Sequence, residues 1–386
     1  MSFGRGVRAR FSLREDVHFL NHGSFGATPR SVQAAQIRWM QALESEPVDF
    51  IVRRLPELLV QARAVVGELV GARGGDLAFV DNASSGVNAV LRSQRFQPGD
   101  RLVTLSHVYP AVRNTLSWVA ERSGAHVVEV PLPCPVVDDA WLEDLGVALR
   151  GARFAVLDHV TSASGLVLPI RRMVQLARES GVPVLVDGAH APGLLPLKVQ
   201  EIGADFYTGN LHKWLCAPKG CAFLWASPSA RQGLQPTTIS HWWREGFPQN
   251  FDQIGTRDPA AWLAVHAVRE FWESIGGLDA ARAHNNALCR AQADLLCERF
   301  GLIPAGPPSM RAAMCSMQLP PMAFPPTVEG AMQLNRVLFE EDRVEVPIVA
   351  HQGALFLRIS AQIYNTSEDY LALAAALNRL VHASAE

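Results

Sequence analysis

The sequence predicts an α/β fold with a largely parallel sheet between helices, followed by a smaller C-terminal α+β domain. The middle of the chain alternates short apolar runs with amphipathic stretches, the signature of βαβ units. After Asp258 that alternation stops, and long helical stretches and a Pro-rich segment take over. The length of 386 residues suits such a division, because single domains usually run to about 100–200 residues.

Two amphipathic helices come first, at 32–43 and 57–70; the second repeats Leu58, Leu59, Ala62, Val65, Val66 and Leu69 along one stripe. A strand-like LAFV at 77–80 precedes further strands at 102–105, 126–130, 154–158, 183–187, 205–208 and 221–225, with helices at 111–121, 141–149 and 173–179. VPVLVDG shows the logic: an unbroken apolar run closing on a polar tip is what a parallel strand buried on both faces requires. Then come helices at 260–274 and 278–300, the Pro-rich segment 304–326, and a helix, strand and helix at 329–342, 355–359 and 369–382. The chain therefore divides into an arm, 1–19, that packs on the small domain, a large domain, 20–275, and a small domain, 276–386.

Composition narrows the function. Lys and Arg number 35 against 37 Asp and Glu (35 − 37 = −2), so no polybasic surface is offered to nucleic acid or to an anionic membrane. No apolar run approaches the ~18 residues of a membrane span, and the start, MSFGRGVRARF, lacks the apolar core of a secretory signal. Its arginines mildly resemble a transit peptide, but a solvated arm is the favoured reading. The cysteines at 134, 216, 221, 289, 297 and 315 form no C-x-x-C pair and read as reduced thiols in a cytoplasmic protein. None of the 12 histidines sits in H-E-x-x-H or another short ligand spacing, so no metal site is expected. Trp242 and Trp243, after Ser240–His241, read equally as pocket wall and as packing.

Three segments carry chemistry. In DFYTGNLHKW, 205–214, a strand runs into a polar turn ending at Lys213; a lysine buried there has a lowered pKa and can act as a Schiff-base amine, although a lone lysine is usually a surface residue. In PVLVDGAHAPG, 183–193, Asp187 closes a buried strand, where open α/β sheets place their ligands. A carboxylate there needs a cation opposite, such as a protonated pyridine nitrogen, and His190 follows three residues on (190 − 187 = 3); a helix-capping Asp with an incidental His explains the same letters. DNASSGVNAVL, 81–91, sets small hydroxyl residues at a helix start, which suits phosphate or a structural cap about equally. Dinucleotide and nucleotide-triphosphate glycine fingerprints are absent.

These segments, with FLNHGSFGATP at 19–29, IGTRDP at 254–259 and FLRIS at 356–360, resemble the class V aminotransferase superfamily of fold-type I pyridoxal 5′-phosphate enzymes, similar to isopenicillin N epimerases and related to cysteine desulfurases. The resemblance covers nearly the whole chain and implies a large domain with a mostly parallel seven-stranded sheet. It implies that Lys213 carries the cofactor, that Asp187 pairs with the ring nitrogen and that His190 contacts the ring hydroxyl. Ser84, Ser85, Asn210 and His212 match phosphate-binding positions, and Thr256 matches a residue that crosses a homodimer interface to the partner's phosphate. Tyr109 in SHVYPAVRNT, 106–115, fits the ring-stacking position best, with His107 as the alternative, though a core or surface tyrosine fits too. Arg358 matches the arginine that grips the substrate α-carboxylate, while Asn21 and His159 are expected to line the pocket.

One departure separates branches of the family. Cysteine desulfurases carry a nucleophilic cysteine on a loop shortly before the carboxylate-binding arginine, whereas RVEVPIVAHQ, 343–352, has none, and Cys315 lies 43 residues away (358 − 315 = 43). The expectation is a homodimeric enzyme acting at Cα of an amino acid or an amino-acid-bearing metabolite. Epimerisation ranks first by resemblance, β-elimination from a cysteine derivative close behind, transamination third; a silent, regulatory relative is disfavoured because Lys213, Asp187 and Arg358 are all present.

Overall fold

The computed structural model describes residues 3–383. Its centre is a seven-stranded sheet made of β1 (Leu77–Val80), β2 (Arg101–Leu105), β3 (His126–Val130), β4 (Phe154–Asp158), β5 (Val184–Asp187), β6 (Phe206–Asn210) and β7 (Ala222–Ala226), in the order β1-β7-β6-β5-β4-β2-β3. All neighbouring pairs are parallel except the two that β7 makes with β1 and β6. Burial explains the unbroken apolar strands. Val184 and Val186 pack into one helical layer and Leu185 into the other, so alternate side chains leave water on opposite faces. Each such fully buried side chain contributes about 1.5–3 kcal/mol.

The register aligns the tips. Asp158 pairs with Asp187, and Asp187 with Thr208, so β4, β5 and β6 end side by side at one edge. Open parallel sheets bind their ligands at that edge.

The small domain has its own core around Leu334, Leu357, Tyr370 and Leu377. It holds an antiparallel sheet of β8 (Met314–Gln318), β9 (Ile348–His351) and β10 (Ala354–Ser360), with Ile303–Pro304 at the far edge. Of these, only β10 is predicted by the sequence pattern. MCSMQ lacks the β-branched residues that mark a strand and sits in the Pro-rich stretch; pairing with β10, in which Ser316 opposes Arg358, makes it one. The stretch 260–274, expected as one helix, divides at Ala264 into Ala260–Leu263 and Val265–Ser274.

The N-terminal segment runs over both cores. His18 pairs with Val344, the Gly4 N–H donates to the Ile363 carbonyl at 2.7 Å, and Phe11 sets its ring edge-on to Tyr364 and Phe271. A buried ion pair of Arg63 and Asp252, 2.5 Å apart, anchors the segment that leads to the 254–259 loop. Among the described residues no helix is long and apolar enough to cross a membrane.

Candidate active site

The carboxyl ends of the parallel strands frame one cavity of about 370 Å³. Asp81 and Asn82 follow β1, Tyr109 follows β2, Asp158 ends β4, Asp187 ends β5, and Asn210, His212 and Lys213 close β6; Ser24 and Phe25 complete the wall from the N-terminal segment. Ser84, Ser162 and His190 also face it.

Lys213 is seated by contacts from distant parts of the chain. Its carbonyl accepts from the Cys216 N–H at 3.0 Å and lies 3.1 Å from His22 Nε2, whose Nδ1 meets Tyr364 Oη at 2.8 Å. Gly26 explains the glycine of GSFG: at φ +69° a Cβ there would meet the His212 carbonyl oxygen at 2.1 Å. Gly193 does the same for the Pro-Gly of VDGAHAPG, since at φ +86° its Cβ would strike the Trp214 backbone at 2.5 Å.

Burial, followed by the Arg358 cation, pushes the Lys213 pKa down to about 8 against the pull of Asp187. The hydrogen bonds agree. Trp214 Nε1–H donates to His190 Nδ1 at 3.4 Å, and burial keeps His190 neutral, so its single proton sits on Nε2. That nitrogen lies 3.0 Å from Lys213 Nζ and donates to it, which requires the amine lone pair. The network therefore favours the neutral, nucleophilic lysine. His190, expected beside a ring hydroxyl, lies next to the lysine.

Asp187 accepts from the Ala189 N–H at 2.9 Å, and burial raises its pKa. Asp158 was missed by sequence reading. Its Oδ2 is buried without a hydrogen-bond partner, and burial, then the Asp187 carboxylate, lifts its pKa well above the usual value. FAVLD ends in an aspartate as VLVD does, so the signal was present in the letters.

Arg358 projects from β10 into the same region. Its guanidinium is buried, donates to Ser24 Oγ at 2.8 Å and to the Ser162 carbonyl, and keeps Nε without a partner; no carboxylate bonds to it among the described residues. Burial lowers its pKa to about 10, so it stays charged and short of an anion.

The remaining expected residues divide. Tyr109, Ser84, Asn210 and His212 reach the cavity wall, with Asn210 Oδ1 accepting from the Ala83 N–H at 2.8 Å and His212 Nδ1 facing the Cys221 carbonyl at 3.1 Å. Ser85 turns back to Asn82, whose side chain caps helix Ala83–Ser93. His159 lies behind the wall with Nδ1 2.9 Å from Tyr207 Oη, and Asn21 donates to Glu345 at 2.9 Å; neither lines the cavity. His107 is also off the wall, its Nδ1 2.8 Å from Ser164 Oγ, whereas Tyr109 lines it. Thr256 is exposed on a loop held beside the cavity by the Arg257–Asp81 ion pair and by Arg257 over the Trp262 ring at 4.0 Å. Trp242 borders a separate cavity with Ile51 and Leu59.

The chemistry of these donors fits pyridoxal 5′-phosphate. Lys213 is an amine whose lowered pKa brings its neutral form within reach for bonding the aldehyde, and Asp187 is a buried carboxylate in want of a cation such as the protonated ring nitrogen. Asn82 and Ser84 at a helix start suit a phosphate.

Comparison with known proteins agrees. A sequence profile described as aminotransferase class-V matches residues 51–373. A rice protein, "Putative L-cysteine desulfhydrase 1", is 36% identical over 97% of this chain and 86% of its own. The isopenicillin N epimerase of Streptomyces clavuligerus is 34% identical over 97% of both chains. The apo cysteine desulfurase of Thermococcus onnurineus superposes with a TM-score of 0.84 over 99% of both chains at 20% identity, a likeness of fold.

Proposed function

From the premise that the chain belongs to the class V aminotransferase family, with pyridoxal 5′-phosphate as its cofactor, we propose that it takes a small, sulfur-bearing α-amino acid and eliminates the sulfur from Cβ. The observation that carries this reading is that Lys213, the one side-chain amine on the cavity wall among the described residues, is also its best-placed base. His190 and His212, the imidazoles on the cavity wall, both cluster with the lysine rather than across from it.

The bound cofactor supplies an electron sink for the Cα carbanion. Asp187, at the strand tip, would hold the ring's positive charge. Arg358 takes the α-carboxylate in its two-pronged fork, which suits a guanidinium stripped of any other anion. Lys213 receives the Cα proton; the Cβ–S bond breaks with its electron pair on sulfur, and water completes release of pyruvate and ammonia. A single base suffices for this sequence. The cavity of about 370 Å³, which must also admit the cofactor, suits a cysteine-sized substrate.

Two related outcomes stand differently. Epimerisation needs an acid on the face away from Lys213, and Tyr109 on the cavity wall is the residue that favours it. Persulfide formation needs a mobile nucleophilic cysteine; none lines the cavity among the described residues, and burial pushes the Cys315 thiol up to about 12. A homodimer in which exposed Thr256 reaches the partner's phosphate belongs to the same proposal, as does a reducing, cytoplasmic setting for six free cysteines.

The test is a panel of L- and D-amino acids and cysteine conjugates incubated in deuterated water. Pyruvate released in equal amount to thiol or sulfide is expected. Deuterated, inverted substrate without pyruvate would replace this reading by epimerisation.

A further inference from the structure

Outside the cavity, three donors of the kind that bind soft metal ions converge where the two domains meet. His107 follows β2, Cys134 lies after β3, and His351 ends β9 in the small domain. One donor atom from each lies within 4.8 Å of the other two. His107 is 3% exposed, and the Nε2 atoms of both imidazoles are buried without hydrogen-bond partners. Buried imidazole nitrogens normally find partners, so two such orphans in residues clustered with one thiol need an explanation.

Other features suit a ligand set. His107 Nδ1 is fixed by Ser164 Oγ at 2.8 Å, and Ser164 in turn by Thr161 at 2.7 Å, the outer contacts that orient a metal-binding imidazole. The rings of His107 and His351 meet edge to face at 4.4 Å. The tip of the β9–β10 hairpin is already docked, because Gln352 Nε2 donates to the Leu132 carbonyl at 3.2 Å. The nearby cation, Arg113, is engaged by both oxygens of Glu129, at 2.6 and 3.1 Å.

We propose that His107, Cys134 and His351 form an N₂S site for a thiophilic divalent cation of the zinc type. Three protein ligands leave one tetrahedral position open. The ion clasps the small-domain hairpin to the large domain, two residues from Tyr109 on the cavity wall (109 − 107 = 2). Binding displaces the Cys134 thiol proton to solvent, and no electron transfer is involved.

The experiment uses holoenzyme stripped of metal by a chelator and titrated with Co²⁺, whose d–d bands lie at longer wavelength than the pyridoxal absorption. One Co²⁺ per chain with the intense bands of four-coordinate cobalt is expected. Altering even outer contacts of such sites costs about 10–100-fold in affinity, so Cys134→Ser and His351→Ala should each weaken binding at least that much. In the unaltered protein, Zn²⁺ should slow alkylation of Cys134, read by peptide mass spectrometry. Weak, six-coordinate bands, equal uptake by both variants, or alkylation of Cys134 indifferent to Zn²⁺ would each overturn the proposal.

Discussion

Two cations, Lys213 on the cavity wall and Arg358 bonded to Ser24 and Ser162 of that wall, come from opposite domains and respond differently to desolvation. Lys213, at the tip of β6, and Arg358, in β10, are both desolvated, and in both this is the main cause of a lowered pKa, to about 8 and about 10. Near neutrality the lysine is within reach of its neutral form, while the guanidinium stays charged. Desolvation thus yields a potential nucleophile on the large-domain side and a fixed positive charge on the small-domain side. The difference lies in the intrinsic basicity of the two groups and in the neighbours each is given. Lys213 has a neutral imidazole that donates to it; Arg358 has only a hydroxyl and a carbonyl.

The strongest way to break this comparison is Lys213→Ala. Turnover should fall by at least about 10²–10⁴-fold, the range for losing a positioned base, and the absorption band of lysine-bound cofactor, which borohydride abolishes in the parent, should be missing. In the parent apoprotein, cofactor attachment should quicken as pH rises and level off above about 8, because only the unprotonated amine reacts. Attachment that keeps quickening well above pH 8, as for an ordinary lysine, would remove the lowered-pKa argument.

Arg358→Ala comes next. Loss of charged hydrogen bonds worth about 1.5–3 kcal/mol should lower kcat/KM for α-carboxylate substrates roughly 10- to 150-fold, while cofactor binding is retained. Equal activity toward an amino acid and its amide in the parent would show that the guanidinium does not read the carboxylate.

The smallest effect is expected at Asp158, the carboxyl beside Asp187. Its folded pKa is raised, by burial first, so the folded chain keeps a proton that the unfolded chain releases above about pH 4. Stability is therefore lost as pH rises from there. Asp158→Asn removes that cost: Tm at pH 7 should equal or exceed the parent's, with the difference shrinking toward pH 4. A lower Tm by the same amount at both pH values would mean that Asp158 supplies a specific contact instead.

Legibility followed locality. The tips of β5 and β6 were visible because a parallel strand buried on both faces is a continuous apolar run, so its polar end marks a position in three dimensions. Asp187 and Lys213 could be read in that way. β8 and β9 were invisible, since MCSMQ and IVAH become strands through pairing with β10 rather than through a pattern of their own. Ser85, His159 and Asn21 matched by motif but turn to Asn82, Tyr207 and Glu345, because a motif names a position and packing chooses where its side chain points.

By itself the sequence determined the α/β architecture and marked Lys213 and Asp187 near strand tips, each in a stretch of about a dozen residues. Only the tertiary structure decided that Asp158 stands beside Asp187, that Arg358 reaches Ser24 and Ser162, and that His107, Cys134 and His351 share one point although 27 and 217 residues separate them (134 − 107 = 27; 351 − 134 = 217). Periodicity reports burial along one element; which elements meet depends on sheet order and domain packing, and these arise from contacts far apart in the chain.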